Sequence, residues 1–274
     1  MPSPLRPAWK INLESFLGRG LPGHQGPVTE HFDGKRFHNL EPKPHKGLYR
    51  LLKWQLSRAP QPDWIEQPGP AQPPDIAERV TGADLHVTYI NHATLLIQQH
   101  GLNILTDPLW SERASPFQLI GPKRHHPPGL TLEQLPPIDL ILVSHNHYDH
   151  LDLHTLAQLA ERFPKAQVVT GLGNAALIRE SGFTRIAELD WWQCLALNAE
   201  MTLHSVPVQH WSARSTHDTN QTLWLGFVLQ SAQGAVLFPG DSGLGPEFKL
   251  MHQHFGPLRF AALPIGAYAP RWFM

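Results

Sequence analysis

The chain has 274 residues, 41% of them hydrophobic, which is enough for a substantial buried core in one large domain or two small ones. Lys and Arg number 22 against 23 Asp and Glu, a formal net charge of -1 with no run of five like charges, so long-range attraction to nucleic acid is not implied. The single cysteine, Cys194, excludes an intrachain disulfide and a zinc site built on several thiolates, and is expected as a small buried hydrophobe.

Met1 to Gly20 never gathers the uninterrupted apolar run of a signal peptide. No later stretch approaches the roughly 18 apolar residues of a membrane span, and a cytoplasmic location is expected. Residues 1–83 are rich in Pro and Gly, with Pro60, Pro62, Pro68, Pro70, Pro73 and Pro74 marking an irregular stretch, and read as an extension that packs on the following domain. Within it, Leu48, Leu51, Leu52 and Leu56 fall at helical spacing among Lys46, Arg50, Lys53 and Arg58. This predicts a short basic amphipathic helix over Gly47–Arg58, docked on its own domain, with peripheral contact to a membrane surface as the alternative.

From Asp84 the texture changes to strands punctuated by turns: Leu85–Ile90, Thr94–Gln98, Ile104–Thr106 and the nearly continuous apolar run Ile138–Ser144, which should be buried. Asp152 is a candidate N-cap for a helix whose apolar face is Leu153, Leu156, Ala157, Ala160 and Phe163, stopped by Pro164. Further strands are expected at Gln167–Thr170, Arg185–Leu189, Met201–Val208, Thr222–Leu229 and Ala235–Phe238, with helices near Asn174–Ser181 and Pro246–Phe255. Many strands with few helices imply layered sheets covered by helices, a mixed α and β architecture.

Eighteen histidines are an unusual number, and a cluster of them asks for a site. Directly after the buried strand comes His145-Asn146-His147-Tyr148-Asp149-His150, three imidazoles and a carboxylate at the C-terminal end of a strand. Two histidines two apart can point to one side of an extended segment, and the Asp-His pair at the turn can reach a neighbouring point, so two adjacent metals are within reach. Nitrogen-rich ligation favours zinc or a similar transition metal over calcium or magnesium. His210 and Asp241 each follow a predicted strand and are placed to project into the same rim. Alone, the former reads as a structural histidine and the latter, in Gly240 to Gly243, as a turn residue. His92 sits at a strand junction within reach of the site but is taken as a satisfied structural histidine. Lys123-Arg124 is taken as a solvated loop face, with contact to an anionic group as the alternative, and Trp191, Trp192, Trp211 and Trp224 as packing residues, with contact to acyl chains as the alternative.

H-x-H-x-D-H with a distant His and a distant Asp is the pattern of the metallo-β-lactamase superfamily, and residues 84–274 resemble it. Within it, the chain is similar to the N-acyl-phosphatidylethanolamine-hydrolysing phospholipase D group and its bacterial relatives. The similarity runs through Leu105-Thr106-Asp107-Pro108, Arg113-Ala114-Ser115-Pro116, Gly121-Pro122-Lys123-Arg124, Leu189-Asp190-Trp191-Trp192, Gln209-His210-Trp211 and Pro264 to Met274. The resemblance implies an α+β fold, a four-layered αββα sandwich. It assigns His145, His147 and His210 to one zinc, Asp149 and His150 to the other, Asp241 as a bridge and Asp107 as a support behind a ligand. It implies a phosphodiesterase of phospholipase D type acting on N-acyl-phosphatidylethanolamine-like lipids through a metal-bridging hydroxide, with Asp149 and Asp241 as catalytic residues. The family pattern continues past Met274 to a final histidine on the second zinc, so a C-terminally truncated sandwich with a weakened second site is expected. A lactonase or other ester or amide hydrolase on the same fold, or a non-catalytic metal-binding form, are the alternatives.

Overall fold

A computed structural model describes residues 23–42, 53–54, 56–57, 68–69, 74–117 and 119–266. The amphipathic helix placed over Gly47–Arg58 and the proline-rich stretch after it lie, apart from isolated positions, outside the described residues. Two sheets form the centre. The first contains β1 (Leu85–Asn91), β2 (Thr94–Gln99), β3 (Leu102–Thr106), β4 (Leu140–Val143), β5 (Gln167–Gly171) and β6 (Ile186–Leu189), in that order, with β1 to β3 antiparallel and β3 to β6 parallel. The second contains β7 (Cys194–Ala196), β8 (Met201–Val206), β9 (Gly226–Ser231), β10 (Gly234–Phe238) and β11 (Leu258–Ala261), in the order β11-β10-β9-β8-β7.

Successive side chains of a strand point to opposite faces, and β4 uses both. Leu140 and Leu142 enter a core shared with Leu203, Val206, Phe227, Leu229 and Val236 of the second sheet. Ile141 and Val143 face the other way, into a core with Leu153, Leu156 and Leu159 of helix α1 (Leu153–Arg162) and Leu177 and Ile178 of helix α2 (Ala175–Arg179). Helix α3 (Glu247–Phe255) covers the outer face of the second sheet, where Phe255 lies edge-on to His204 of β8 at 5.2 Å. The layers are helix, sheet, sheet, helix, the architecture that the resemblance implies.

Local signals hold where they are strong. Asp152 caps α1, its side chain accepting from the His154 backbone N–H, and the helix ends at Phe163 before Pro164. The strand expected over Thr222–Leu229 begins only at Gly226, because the preceding backbone turns to the first sheet: Leu223 N–H donates to Leu172 and Leu225 N–H to Ser144. Likewise β8 stops at Val206, since the Val208 carbonyl is taken by the Trp224 indole at 3.0 Å. Strands β7 and β11, short pieces at the two edges of the second sheet, were not expected from the sequence. Cys194 begins β7 and is exposed, not buried: an edge strand has no neighbouring strand to cover it.

Residues 23–42 are fastened to this frame. Phe32 and Phe37 are buried in the inter-sheet core, and His31 stacks on Trp191 at 4.5 Å while its Nε2 lies 2.7 Å from Asp190. Among the described residues, no helix is long and apolar enough to cross a membrane.

Because Leu142 is fully buried between the sheets, Leu142→Ala is expected to destabilise the fold by about 2–5 kcal/mol. Ile141→Val, one methyl on the opposite face, should cost about 0.5–1.5 kcal/mol. Urea unfolding of the two variants reads the difference.

Candidate metal centre

Four loops meet at the C-terminal ends of the first sheet's strands. The loop after β4 carries the histidine motif, the loop after β3 carries Asp107, the loop after β8 carries His210 and the loop after β10 carries Asp241. The structure brings all six residues expected at the metal site together. His145 Nε2 lies 2.8 Å from His147 Nδ1 and 3.1 Å from His210 Nε2, and His210 Nε2 lies 3.3 Å from His147 Nδ1. Beside this triangle, His150 Nε2 is 3.6 Å from Asp149 Oδ2 and 3.4 Å from Asp241 Oδ2, which is itself 3.8 Å from His210 Nε2.

The tautomer of His145 follows from its neighbours. Ser144 Oγ spends its one proton on Asp107 Oδ2 at 2.6 Å, so toward His145 Nδ1, at 2.9 Å, it can only accept. His145 is therefore protonated on Nδ1, and its Nε2 lone pair faces His147 and His210. Asp107 also accepts the Ser144 backbone N–H at 2.7 Å and lies 2.7 Å from His150 Nδ1, the supporting role expected of it. Ser144 itself was not expected, although it immediately precedes the motif.

Burial disfavours charge on the triangle. It lowers the pKa of His147 to about 4 and of His210 to about 3, and holds His145 well below the usual imidazole value. Three neutral rings thus converge nitrogens on one point, where a single proton can bridge only one pair and leaves lone pairs opposed. A cation resolves that conflict. The N···N separations are close to the roughly 3.3 Å edge of tetrahedral ligation by imidazole. His150 behaves oppositely: burial pulls its pKa down, but Asp107 and Asp149 outweigh burial and raise it well above the usual value. Burial would raise the Asp149 and Asp241 carboxyls, yet His150, joined by His92 at Asp149 and by His210 at Asp241, outweighs it and holds both low, Asp241 at about 2. His150 Nε2 and His147 Nε2 are buried without a hydrogen-bond partner. These donors, imidazole nitrogen with carboxylate oxygen, suit a divalent transition metal, and His145, His147 and His210 on one side and Asp149 and His150 on the other could each hold one.

Residues distant in sequence fix this loop. Buried Arg214 donates from Nη1 to the carbonyls of Asn146 and Leu151, both at 2.9 Å, and its guanidinium lies 3.9 Å over the Tyr148 ring. Asn39, in the N-terminal segment, grips the His210 backbone from both sides: its Nδ2 donates to the carbonyl at 2.8 Å and its Oδ1 accepts the N–H at 3.2 Å. No sequence signal marks either residue. His92, expected to be a satisfied structural histidine, is instead 43% exposed and points Nε2 at Asp149 Oδ2, 3.1 Å away. Of the tryptophans, Trp191 and Trp224 are core residues, whereas Trp211 is 47% exposed and packs edge-on to His147 at 4.4 Å. In the basic pair, Lys123 meets Glu112 at 3.1 Å and Arg124 donates to the Trp110 carbonyl at 3.1 Å.

A family model described as the beta-lactamase superfamily domain matches residues 102–274. The chain belongs to that superfamily. N-acyl-phosphatidylethanolamine-hydrolyzing phospholipase D 1 of Caenorhabditis elegans is 36% identical over 210 residues, 71% of this chain and 59% of its own length. The mitochondrial N-acyl-phosphatidylethanolamine-hydrolyzing phospholipase D of Saccharomyces cerevisiae is 34% identical over 191 residues, 68% of this chain and 40% of its own. The chain thus spans about three fifths or less of the length of these two relatives. Among solved structures, Igni18, a metallo hydrolase from Ignicoccus hospitalis, superposes with a TM-score of 0.52 at 20% identity, over 67% of this chain and 71% of its own, and so shares the fold.

Gly240 precedes Asp241 at φ +60°, and a Cβ there would come within 2.5 Å of the Ser144 side chain. Gly240→Ala is expected to destabilise the protein by about 1–3 kcal/mol and to weaken metal binding by displacing Ser144, as read by urea unfolding and metal titration. In chelator, the neutral triangle gives a second outcome. Unfolded histidines protonate near pH 6.5, whereas folded His147 and His210 resist until about 4 and 3, so the unfolded state binds more protons across that window. The urea midpoint of the metal-free protein should fall as pH drops from about 6.5 to 4. A midpoint that stays flat there would show that these rings protonate as freely when folded.

Proposed function

We propose that this chain carries the hydrolytic centre of a zinc-dependent phosphodiesterase of phospholipase D type, acting on N-acyl-phosphatidylethanolamine-like lipids. The observation that carries the reading is the triangle of neutral, desolvated imidazole nitrogens beside Asp149, His150 and Asp241. Identity with the nematode and yeast phospholipases supports the substrate class.

His145, His147 and His210 would hold one zinc, Asp149 and His150 a second, with Asp241 between them. Bound there, zinc supplies Lewis-acid polarisation of a phosphoryl oxygen and a water acidified toward neutrality. The chain's own groups do the rest. Asp149 and Asp241, kept ionised by the neighbouring imidazoles, His150 foremost, against their burial, accept hydrogen bonds and orient a water; neither is a proton donor at neutral pH. Asp107 fixes the ring of His150 and, through Ser144, that of His145, so the ligand lone pairs stay aimed without reorganisation. The exposed Trp211, edge-on to His147, offers apolar surface beside the metal centre, which suits a substrate that joins a phosphodiester to acyl chains. We read residues 84–274 as the hydrolase domain and residues 1–83 as an extension that packs on it.

The test is turnover by zinc-loaded protein against N-acyl-phosphatidylethanolamine in mixed micelles and against a chromogenic phosphodiester. Chelation should abolish activity and added zinc restore it, and His147→Ala should lower kcat/KM by at least about 100-fold, beyond what loss of a supporting residue produces. Faster hydrolysis of lactones than of either diester would move the substrate class to carboxylic esters.

A further inference from the structure

His92 belongs to none of the ligand sets that the family resemblance assigns, yet the fold presents it to the metal centre. It sits at the tip of the β1-β2 hairpin, just past an irregularity in the register between Tyr89 and Asn91. Bulged hairpins of this kind re-aim side chains beside active sites. Its φ is 48°, a left-handed conformation uncommon for a residue with a side chain. Such backbone persists only where the surroundings over-determine it.

The surroundings here do so with buried hydrogen bonds on both sides of the tip. Asn91 Nδ2 donates to the Leu109 carbonyl at 2.9 Å, and Thr94 Oγ1 donates to the carbonyl of Asp107 at 2.7 Å. Thr106 Oγ1 donates to the Ala93 carbonyl at 2.8 Å and accepts the Leu95 N–H at 2.9 Å. The hairpin tip is thereby locked to the same loop that supplies Asp107, and His92 is held in register with His150.

The side chain completes a cluster. Ligand atoms of His92, Asp149 and His150 all lie within 4.8 Å of one another. The His92 ring meets that of His150 at 5.1 Å and 63°. His150 is tied through Nδ1 to Asp107, which leaves its fully buried Nε2 without a partner and aimed at the carboxylates. Without His92 the second subsite offers, among the described residues, one imidazole and two carboxylates. With it, two nitrogens and two oxygens make a four-donor set suited to a borderline-soft divalent cation.

We infer that His92 is a ligand of the second metal subsite, giving its Nε2 to the cation held by Asp149 and His150. The inference rests on the metal-centre reading above and adds a ligand to it. His92 would then anchor the second cation from the hairpin side.

The test is zinc stoichiometry and affinity of the full chain by equilibrium dialysis with elemental analysis, for wild type, His92→Gly and His92→Gln. Glycine accepts the left-handed backbone, so His92→Gly removes the ring without straining the tip. Glutamine keeps an N–H donor for Asp149 but removes the ligating nitrogen. Wild type should bind two zinc ions; both variants should keep the first and bind the second at least 10-fold more weakly, and imidazole in the buffer should restore the second ion to His92→Gly. Undiminished second-site affinity in His92→Gln would reduce His92 to a hydrogen-bond donor that positions Asp149, overturning the inference. Equal affinity in all three proteins, or imidazole without effect, overturns it too. A wild type that binds one zinc overturns it while leaving the histidine triangle intact, whereas a wild type that binds none removes the metal-centre reading itself.

Discussion

The Asp107 carboxylate lies at 0% exposure where the ends of β3 and β4 meet, and it gathers the Ser144 backbone N–H, the Ser144 hydroxyl and the His150 ring. A buried carboxylate left without partners would cost several kcal/mol, so these three contacts are mutually required. Through them one side chain fixes the turn out of β4, the Nδ1 tautomer of His145 and the orientation of His150. Its own backbone is at φ 32°, and its carbonyl takes the Thr94 hydroxyl at the base of the hairpin tip. The metal loop, the hairpin and the loop after β3 therefore share one anchor. Gly240 has to be small because it packs against that anchor through Ser144.

Around the anchor, the electrostatics divide into two halves. The triangle of His145, His147 and His210 is desolvated and neutral, so its lone pairs are available to a cation at ordinary pH. The other half, His150 with Asp149 and Asp241, is charged and half open to solvent through the two carboxylates. The two halves are close enough to share Asp241, which is within 4 Å of a ring nitrogen in each. Rigidity comes from outside the motif. Arg214 clamps the carbonyls of Asn146 and Leu151, and Asn39 clamps the backbone of His210. Neither touches the point where the nitrogens converge, and both restrict where that point can be.

Much of the frame was legible in the sequence because its signals are local. The four apolar residues of β4 specify a strand buried on both faces, and Asp152, the leucine spacing after it and Pro164 specify α1 nearly to the residue. The edge strands β7 and β11 were not legible, because three or four residues with exposed positions carry no period. Residues 222–225 carry apolar strand character but are drawn out of the sheet by Leu172 and Ser144, partners that no window on the sequence contains.

The candidate site divides in the same way. His145, His147, Asp149 and His150 fall within six residues, and a strand followed by a turn places such a spacing at one rim by geometry alone, so the sequence by itself determined this part of the site. The distant pair His210 and Asp241 was legible through the positions of strand ends and the family pattern. Asp107 was expected as a support, but only the tertiary structure decided that it holds His150, across 43 residues, and which other groups complete the site: His92 against Asp149 across 57 residues and Asn39 against His210 across 171. A hydrogen bond is made or lost over a few tenths of an ångström, and partners that far apart along the chain leave no periodicity or spacing to read. Their meeting is set by how two sheets and their connecting loops pack.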